Sequence, residues 1–411
     1  MKGNVLIGQS GGPTAAINAS IAGVYIRAKK LGVKHVYGMV HGIEGFLEEK
    51  LCDMDSYFFD PVQIELLKRT PSAFLGSCRY KLPAILENEA LYEKIFMILD
   101  KYDIEYIFYA GGNDSMDTVK MLSDYALSHG KTQKFMGVPK TIDNDLPVTD
   151  HCPGYGSAAK YIATSVKEAL RDNESFGAKK PIVCIIEIMG RNAGWLAAAA
   201  ALAKGEDCQG CDAIYLPEHD FSVEEFMKTV SKLAKEKSSV AIAVSEGVHT
   251  KEGVYVSELS DKKTQIDAFG HKQTAGVARY LADLVGAQMG LKTRVVEISV
   301  LQRAASHMAS LTDINEAVCA GEMAMQAAAQ GHTGEMVIFT RDNEAPYECG
   351  VTTYDIHQIA NIEKKIPKEW LREDGLGVNE GFIAYARPLI MGELTPIFVD
   401  GLPRHILRRE E

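Results

Sequence analysis

Long hydrophobic runs are missing from this chain. The longest, Trp195 to Ala203, has nine residues, about half of the roughly twenty that cross a bilayer. The start, Met1-Lys2-Gly3-Asn4-Val5-Leu6-Ile7-Gly8, turns polar before the apolar stretch of a secretory signal develops. Both absences exclude a membrane span and predict a cytoplasmic protein. Cysteine is sparse, eight in 411 residues at irregular spacing, which excludes a disulfide framework. Cys208-Gln209-Gly210-Cys211 is a lone C-x-x-C with no second pair or spaced His pair to complete a zinc site, and it reads as two reduced thiols in a turn. Positive charge is in deficit: 44 Lys+Arg against 55 Asp+Glu leave a net charge of −11. That balance excludes nucleic acid and anionic membrane as main partners. It leaves room for an anionic small substrate held in a local basic pocket.

What is present is the composition of a globular protein, 46% hydrophobic and 24% charged, in a chain long enough for two or three domains at roughly 150 residues each. Short aliphatic runs recur at Val5-Leu6-Ile7, Ile104 to Tyr109, Ile182 to Ile188, Ala213 to Leu216, Val240 to Val244 and Val295 to Ile298. They are apolar on both faces, as buried parallel strands are. Helical patterns lie between them, at Ala15 to Leu31, Ser115 to Ser128, Ser157 to Arg171, Phe221 to Lys237 and Thr274 to Met289. Strands alternating with helices predict the α/β class, with mainly parallel, doubly wound sheets flanked by helices.

In such sheets ligands sit beyond the carboxyl ends of the strands, so the turns that follow strands carry the functional signal. Gly8-Gln9-Ser10-Gly11-Gly12-Pro13-Thr14 follows the first strand and precedes a helix. Its adjacent glycines and the helix N-terminus behind them suit a phosphate, and a plain tight turn is the alternative. The loop matches neither the dinucleotide nor the Walker pattern. Ala110-Gly111-Gly112-Asn113-Asp114-Ser115 repeats the device with oxygen ligands at its tip, the chemistry of Mg²⁺ beside phosphate or of a helix cap. Pro139-Lys140-Thr141-Ile142-Asp143-Asn144-Asp145 crowds a lysine, a hydroxyl and two carboxylates into seven residues. There one carboxylate can take a hydroxyl proton while the lysine neutralises phosphate charge. Gly154-Tyr155-Gly156-Ser157-Ala158-Ala159 fits G-x-G-x-x-A but follows Pro153 and polar residues instead of a strand, which argues against a nucleotide fingerprint.

These three loops, with Met189-Gly190-Arg191, Glu246, Arg294 and Leu301-Gln302-Arg303 in the same order and spacing, resemble the phosphofructokinase family over about residues 1 to 335. The resemblance implies two doubly wound domains with the active site in the cleft between them. Residues 1–150 would form the first, with a return of the chain around 302–345, residues 151–301 the second, and 346–411 a C-terminal extension. It implies phosphoryl transfer to the 1-hydroxyl of fructose 6-phosphate. Asp143 takes the role of base, and Thr141, Ile142 and Asp145 position the substrate and metal. Met189, Gly190, Arg191, Glu246, Arg294 and Arg303 grip the sugar phosphate, while Gly11, Gly12, Arg79 and Lys140 hold the donor. Two catalytic positions select the donor: ATP-using relatives have Gly where this chain has Asp114 and Lys140. A carboxylate and an ammonium there would occupy the space of a nucleotide's α-phosphate and ribose, so the resemblance is to the pyrophosphate-dependent branch, whose reaction is reversible.

The alternatives are an ATP-dependent 6-phosphofructokinase and a non-catalytic regulatory subunit of the same fold; a seven-carbon ketose phosphate is a further possible acceptor. Mg²⁺ is the implied cofactor, and a homodimer or homotetramer the implied assembly. The chain departs from the family at Asn113, where an Asp metal ligand is usual and Asp114 could share the duty. It departs again at Ser299-Val300-Leu301, which lacks a usual His or Tyr. Ile182 stands where a neighbouring subunit commonly supplies an arginine, a duty Lys179 or Lys180 could take over.

Overall fold

The computed structural model describes residues 2–176, 180–259 and 276–409. Lys179 and the first two residues of the helix expected from Thr274 lie outside the described residues. The chain forms two compact units, one of Met1–Ser157, Arg303–Glu363 and Met391–Glu411, the other of Ala158–Gln302 and Lys364–Ile390. Residues 346–411, read from the sequence as one extension, are therefore divided between the two.

The first unit is built on β1 (Asn4–Gln9), β2 (Val36–Met39), β3 (Leu51–Asp53), β4 (Ile104–Gly111) and β5 (Lys134–Pro139), and the second on β6 (Ile182–Ile188), β7 (Ala213–Tyr215), β8 (Ser239–Ser245) and β9 (Lys292–Glu297). The chain then adds β10 (Glu335–Glu344) and β11 (Tyr347–Asp355) to the first sheet. Its order is β11-β10-β5-β4-β1-β2-β3. Neighbours run parallel except at the two edges, where β2 with β3 and β10 with β11 are antiparallel. Successive residues of a strand face opposite sides of a sheet. Val5 and Ile7 accordingly enter the core formed with helices Ile17–Lys30 and Leu311–Ala329, while Leu6 enters the core formed with helices Glu89–Lys101 and Asn113–Ser128. Both faces are covered, which is why β1, β4 and β5 read as unbroken apolar runs.

The second unit carries a wholly parallel sheet of order β7-β8-β6-β9. Helices Val223–Glu236 and Val277–Met289 share its buried core. The longest apolar run forms a single helical turn, Trp195–Ala198, continuing as a 3₁₀ turn through Ala203, and it is almost wholly buried. Cys208 and Cys211 are free thiols, and burial pushes the Cys211 thiol well above its usual range, so it stays protonated.

One buried charge cluster ties the β10–β11 hairpin into the first unit. His151 is 2% exposed, with Nδ1 2.8 Å from Asp150 and Nε2 2.7 Å from Glu316. Arg341 of β10 donates to Asp150 at 2.9 Å, and Tyr347 of β11 donates to Glu316 at 2.7 Å. Burial pulls the His151 pKa down, but the Glu316 charge and the two carboxylate hydrogen bonds outweigh it and raise the value to about 9. The imidazolium is thus part of the fold. A raised histidine pKa stabilises the folded state fully below its unfolded value of about 6.5, and the contribution is lost as pH rises through about 9. His151→Gln removes the cation that lies between the half-buried carboxylates of Asp150 and Glu316. It should lower unfolding free energy by about 3–5 kcal/mol and flatten the decline in stability between pH 6.5 and 9, both read by urea denaturation.

Candidate functional site

In the first unit the three loops emerge side by side because β5, β4 and β1 are adjacent and level. Gln9 pairs with Ala110, and Gly111 with Pro139. Cross-links then fix the loops to each other. Ser10 donates its amide to the Ala110 carbonyl at 2.9 Å, and Lys140 donates its own to Gly111 at 3.1 Å. The hydroxyls of Ser10 and Ser115 form a short hydrogen bond. Gly11, at φ +74°, turns the first loop in a conformation a side chain resists. Its amide donates to Cys78 at 3.0 Å and its carbonyl accepts from Ser77 Oγ at 2.6 Å, so the segment carrying Arg79 lies against it.

Lys140 is the centre of this arrangement. It is 2% exposed, and its Nζ donates to the Gly12 carbonyl at 2.7 Å. Burial lowers its pKa to about 8, with Asp143 and Asp145 pulling the value up and Arg303 and Arg79 pushing it down. Lys140, Asp143, Asp145, Arg303 and Arg79 therefore share one electrostatic environment at the ends of β1, β4 and β5. Arg303 stands on this side, its guanidinium 3.4 Å from where a Cβ on Gly12 would be. The Asp143 backbone is held rigid: its amide donates to Thr141 Oγ1 at 3.1 Å, Thr141 bridges to Gly154, and Asn144, at φ +54°, accepts from the Cys152 amide through Oδ1 at 2.9 Å. Ile142 is buried next to them. Asp114 is exposed in the first turn of helix Asn113–Ser128. The helix N-cap is Gly112, so neither Asp114 nor Ser115 is the capping residue. Asn113 Oδ1 is buried, and among the described residues it has no hydrogen-bond partner. The G-x-G-x-x-A segment is structural: Asp313 accepts from the amides of Gly154 and Ser157 at 2.8 and 3.0 Å and so caps helix Tyr155–Glu174.

In the second unit Ile188 of β6 pairs with Ser245 of β8, which sets Met189, Gly190 and Arg191 beside Glu246. Met189 donates its amide to Gln302 Oε1 at 3.2 Å, Glu246 donates to Ile188 at 2.9 Å, and Ser245 Oγ donates to the Gly190 carbonyl at 2.5 Å. Arg191 Nε is buried without a hydrogen-bond partner among the described residues, and guanidinium groups of this kind suit anions. Gly247 touches this loop so closely that an added Cβ would fall 1.9 Å from the Arg191 carbonyl oxygen. Gly247→Ala should push the loop out of place and lower kcat/KM about tenfold or more, since a displacement of about 1 Å from productive geometry can cost 10²-fold in rate; initial-rate kinetics measure it.

Arg294 is not part of this group. It pairs with Cys184, four residues upstream of Ile188, about 13 Å back along the strand. There it binds Asp172, and its guanidinium lies 4.0 Å from the Phe176 ring centroid. Lys180 is exposed near the same end of β6. Sequence reasoning also passed over Glu218, which directly follows Leu216-Pro217 beyond β7 and accepts the Gly194 amide at 2.9 Å. The rule that drew attention to the other strand ends applies equally there.

Two glycine loops and the Lys140–Asp145 segment at three level strand ends, around a buried lysine, have the makeup of a phosphoryl-transfer enzyme. The family model described as Phosphofructokinase matches residues 4–328, and the chain belongs to the phosphofructokinase family. It is 40% identical over 405 residues to the pyrophosphate–fructose 6-phosphate 1-phosphotransferase of Methylococcus capsulatus, covering 98% of this chain and 95% of the relative. The crystal structure of a pyrophosphate-dependent phosphofructokinase from Nitrosospira multiformis matches with a TM-score of 0.88 and 38% identity, covering 98% of this chain and 95% of that one. A second, from Marinobacter aquaeolei, matches with a TM-score of 0.87 and 37% identity, covering 100% and 98%.

Proposed function

We propose that this chain is a pyrophosphate–fructose 6-phosphate 1-phosphotransferase, which reversibly moves a phosphoryl group from pyrophosphate to the 1-hydroxyl of the sugar and releases phosphate. The buried Lys140 carries the reading. Its ammonium, fastened to the Gly12 carbonyl, stands where relatives that use a nucleotide have only a glycine hydrogen. Gly11, Gly12, Arg79 and Lys140 hold the two phosphoryl groups, and Asp114 at the mouth of the loop repels a longer polyphosphate. Arg303, given to the sugar phosphate by sequence, has Gly12 and Lys140 as neighbours, which supports a role beside the donor. Asp143 accepts the proton of the 1-hydroxyl as that oxygen attacks phosphorus, with Thr141 and Ile142 fixing its loop. Met189, Gly190, Arg191 and Glu246 bind the sugar and its 6-phosphate.

The donor set also fits a hard cation. The orphaned Asn113 Oδ1 and the Asp145 carboxylate are oxygen ligands of the kind Mg²⁺ takes beside phosphate. Mg²⁺ bound there would offset charge on the transferring group. Arg294, remote from Arg191 within one chain, would serve a second copy, which favours a homodimer or homotetramer. No helix among the described residues is long and apolar enough to cross a membrane, and we place the enzyme in the cytoplasm. Purified protein with fructose 6-phosphate, Mg²⁺ and either pyrophosphate or ATP is the test. Bisphosphate formed with pyrophosphate alone supports the reading. Turnover with ATP alone replaces it by the kinase, and turnover with neither leaves a silent subunit.

A further inference from the structure

The loop after β6 is held from behind by a segment from late in the chain. Glu218 Oε1 accepts the Gly194 amide at 2.9 Å and also the Ile366 amide at 3.4 Å. The next residue, Trp195, donates Nε1 to the Lys364 carbonyl at 3.0 Å. Its ring centroid lies 6.2 Å from that of Trp370, 6.3 Å from Phe382 and 5.4 Å from Tyr385. Lys364–Ile390 thus packs directly behind the turn that begins with Met189-Gly190-Arg191, and it belongs to the same compact unit. The second Glu218 oxygen, Oε2, is buried with no hydrogen-bond partner among the described residues. It sits 2.5 Å from where a Cβ on Gly194 would be. Burying a carboxylate this incompletely satisfied is unfavourable, and the fold keeps it where it joins two segments far apart in sequence.

We infer that Glu218 is a positioning residue for the sugar phosphate: by accepting the amides of Gly194 and Ile366 it fastens Lys364–Ile390 to Gly194, three residues beyond Arg191, so that late segment acts as a brace for the sugar-phosphate site. The inference rests on the proposed role of that loop. Glu218 touches no reacting atom, and its effect runs through where Arg191 stands.

Initial rates with each substrate varied in turn provide the test. Loss of a hydrogen bond to a charged group weakens what it holds, so Glu218→Ala should raise KM for fructose 6-phosphate about tenfold. KM for pyrophosphate and kcat should stay at parent values. Glu218→Gln, whose amide oxygen still accepts, should recover most of the loss. Glu218→Asp keeps the charge and falls one methylene short, so it should raise the same KM if the alanine variant does not fold. Trp370→Ala should act in the same direction. Arg191→Ala is the reference. If it raises KM for fructose 6-phosphate while neither Glu218→Ala nor Glu218→Asp does, the brace is overturned and the site assignment stands. Parallel rises in both KM values without rescue by Gln would also overturn it, as a general loss of structure. If Arg191→Ala itself leaves that KM unchanged, the site assignment falls and takes the brace with it.

Discussion

Asp143→Ala should lower kcat by about 10²–10⁴-fold, the contribution of a well-placed general base, with KM for both substrates little changed. The small KM effect follows from how the loop is built. Asp143 is held by its backbone, through Thr141 Oγ1, the Thr141–Gly154 bridge and the Asn144 bond to Cys152. Truncating the side chain leaves that frame standing. Asp143→Asn keeps the shape and hydrogen-bonding reach but not the basicity, and should lose as much as the alanine variant. A mild loss in both would assign proton removal elsewhere, with Asp145 as the next candidate.

Lys140→Met should lower kcat/KM for pyrophosphate by about 10²–10³-fold, the scale of losing one preorganised group aimed at transition-state charge. It also removes a cation held at 2% exposure, whose burial in the charged form is unfavourable. The pH dependence separates these effects. With its pKa lowered to about 8, Lys140 loses its charge in the free enzyme as pH rises through that value. kcat/KM for pyrophosphate should therefore fall above pH 8 in the parent. The unfolded lysine holds its proton up to its ordinary value of 10.5. Between about 8 and 10.5 the unfolded state binds more protons, so parent stability should rise with pH in that window through this group. Lys140→Met should show neither trend. Removing both selecting groups, Asp114→Gly with Lys140→Gly, should weaken pyrophosphate use and admit ATP. A double variant with parent-like preference for pyrophosphate would refute selection by occupied space.

Most of the central strands and every glycine loop were legible in the sequence, for one physical reason. Strands covered on both faces must be apolar throughout, and the turns after them must be polar and tight. The same logic explains what was missed. β11 is an edge strand, Tyr347–Asp355, only partly buried along its length, so it has no apolar run to notice. β10 is buried from Met336 to Phe339 and then runs exposed into Arg-Asp-Asn-Glu. β2 is four residues with a glycine inside. Helix Leu311–Ala329 is mostly alanine and other small residues, and its apolar face gave too little contrast to stand out. Arg294 was assigned to the sugar phosphate by the family resemblance alone. On an extended strand a few residues span more than a nanometre, and only the pairing with Cys184 reveals that. Glu218 stands beyond a strand end like the other loops, but nothing in Leu216-Pro217-Glu218 announces which distant amides it will accept.

The divided first unit has a consequence for how the protein is made. The chain leaves it after Ser157, re-enters at Arg303, departs once more after Glu363 and comes back at Met391. A ribosome that has released only the early strands has released a sheet whose flank is bare, because β10, β11 and helix Leu311–Ala329, one of the two helices that cover Val5 and Ile7, are still to be translated. Neither half can be cut out as one contiguous piece, so a nascent or clipped chain should present open sheet edge to chaperones until nearly all of it has emerged.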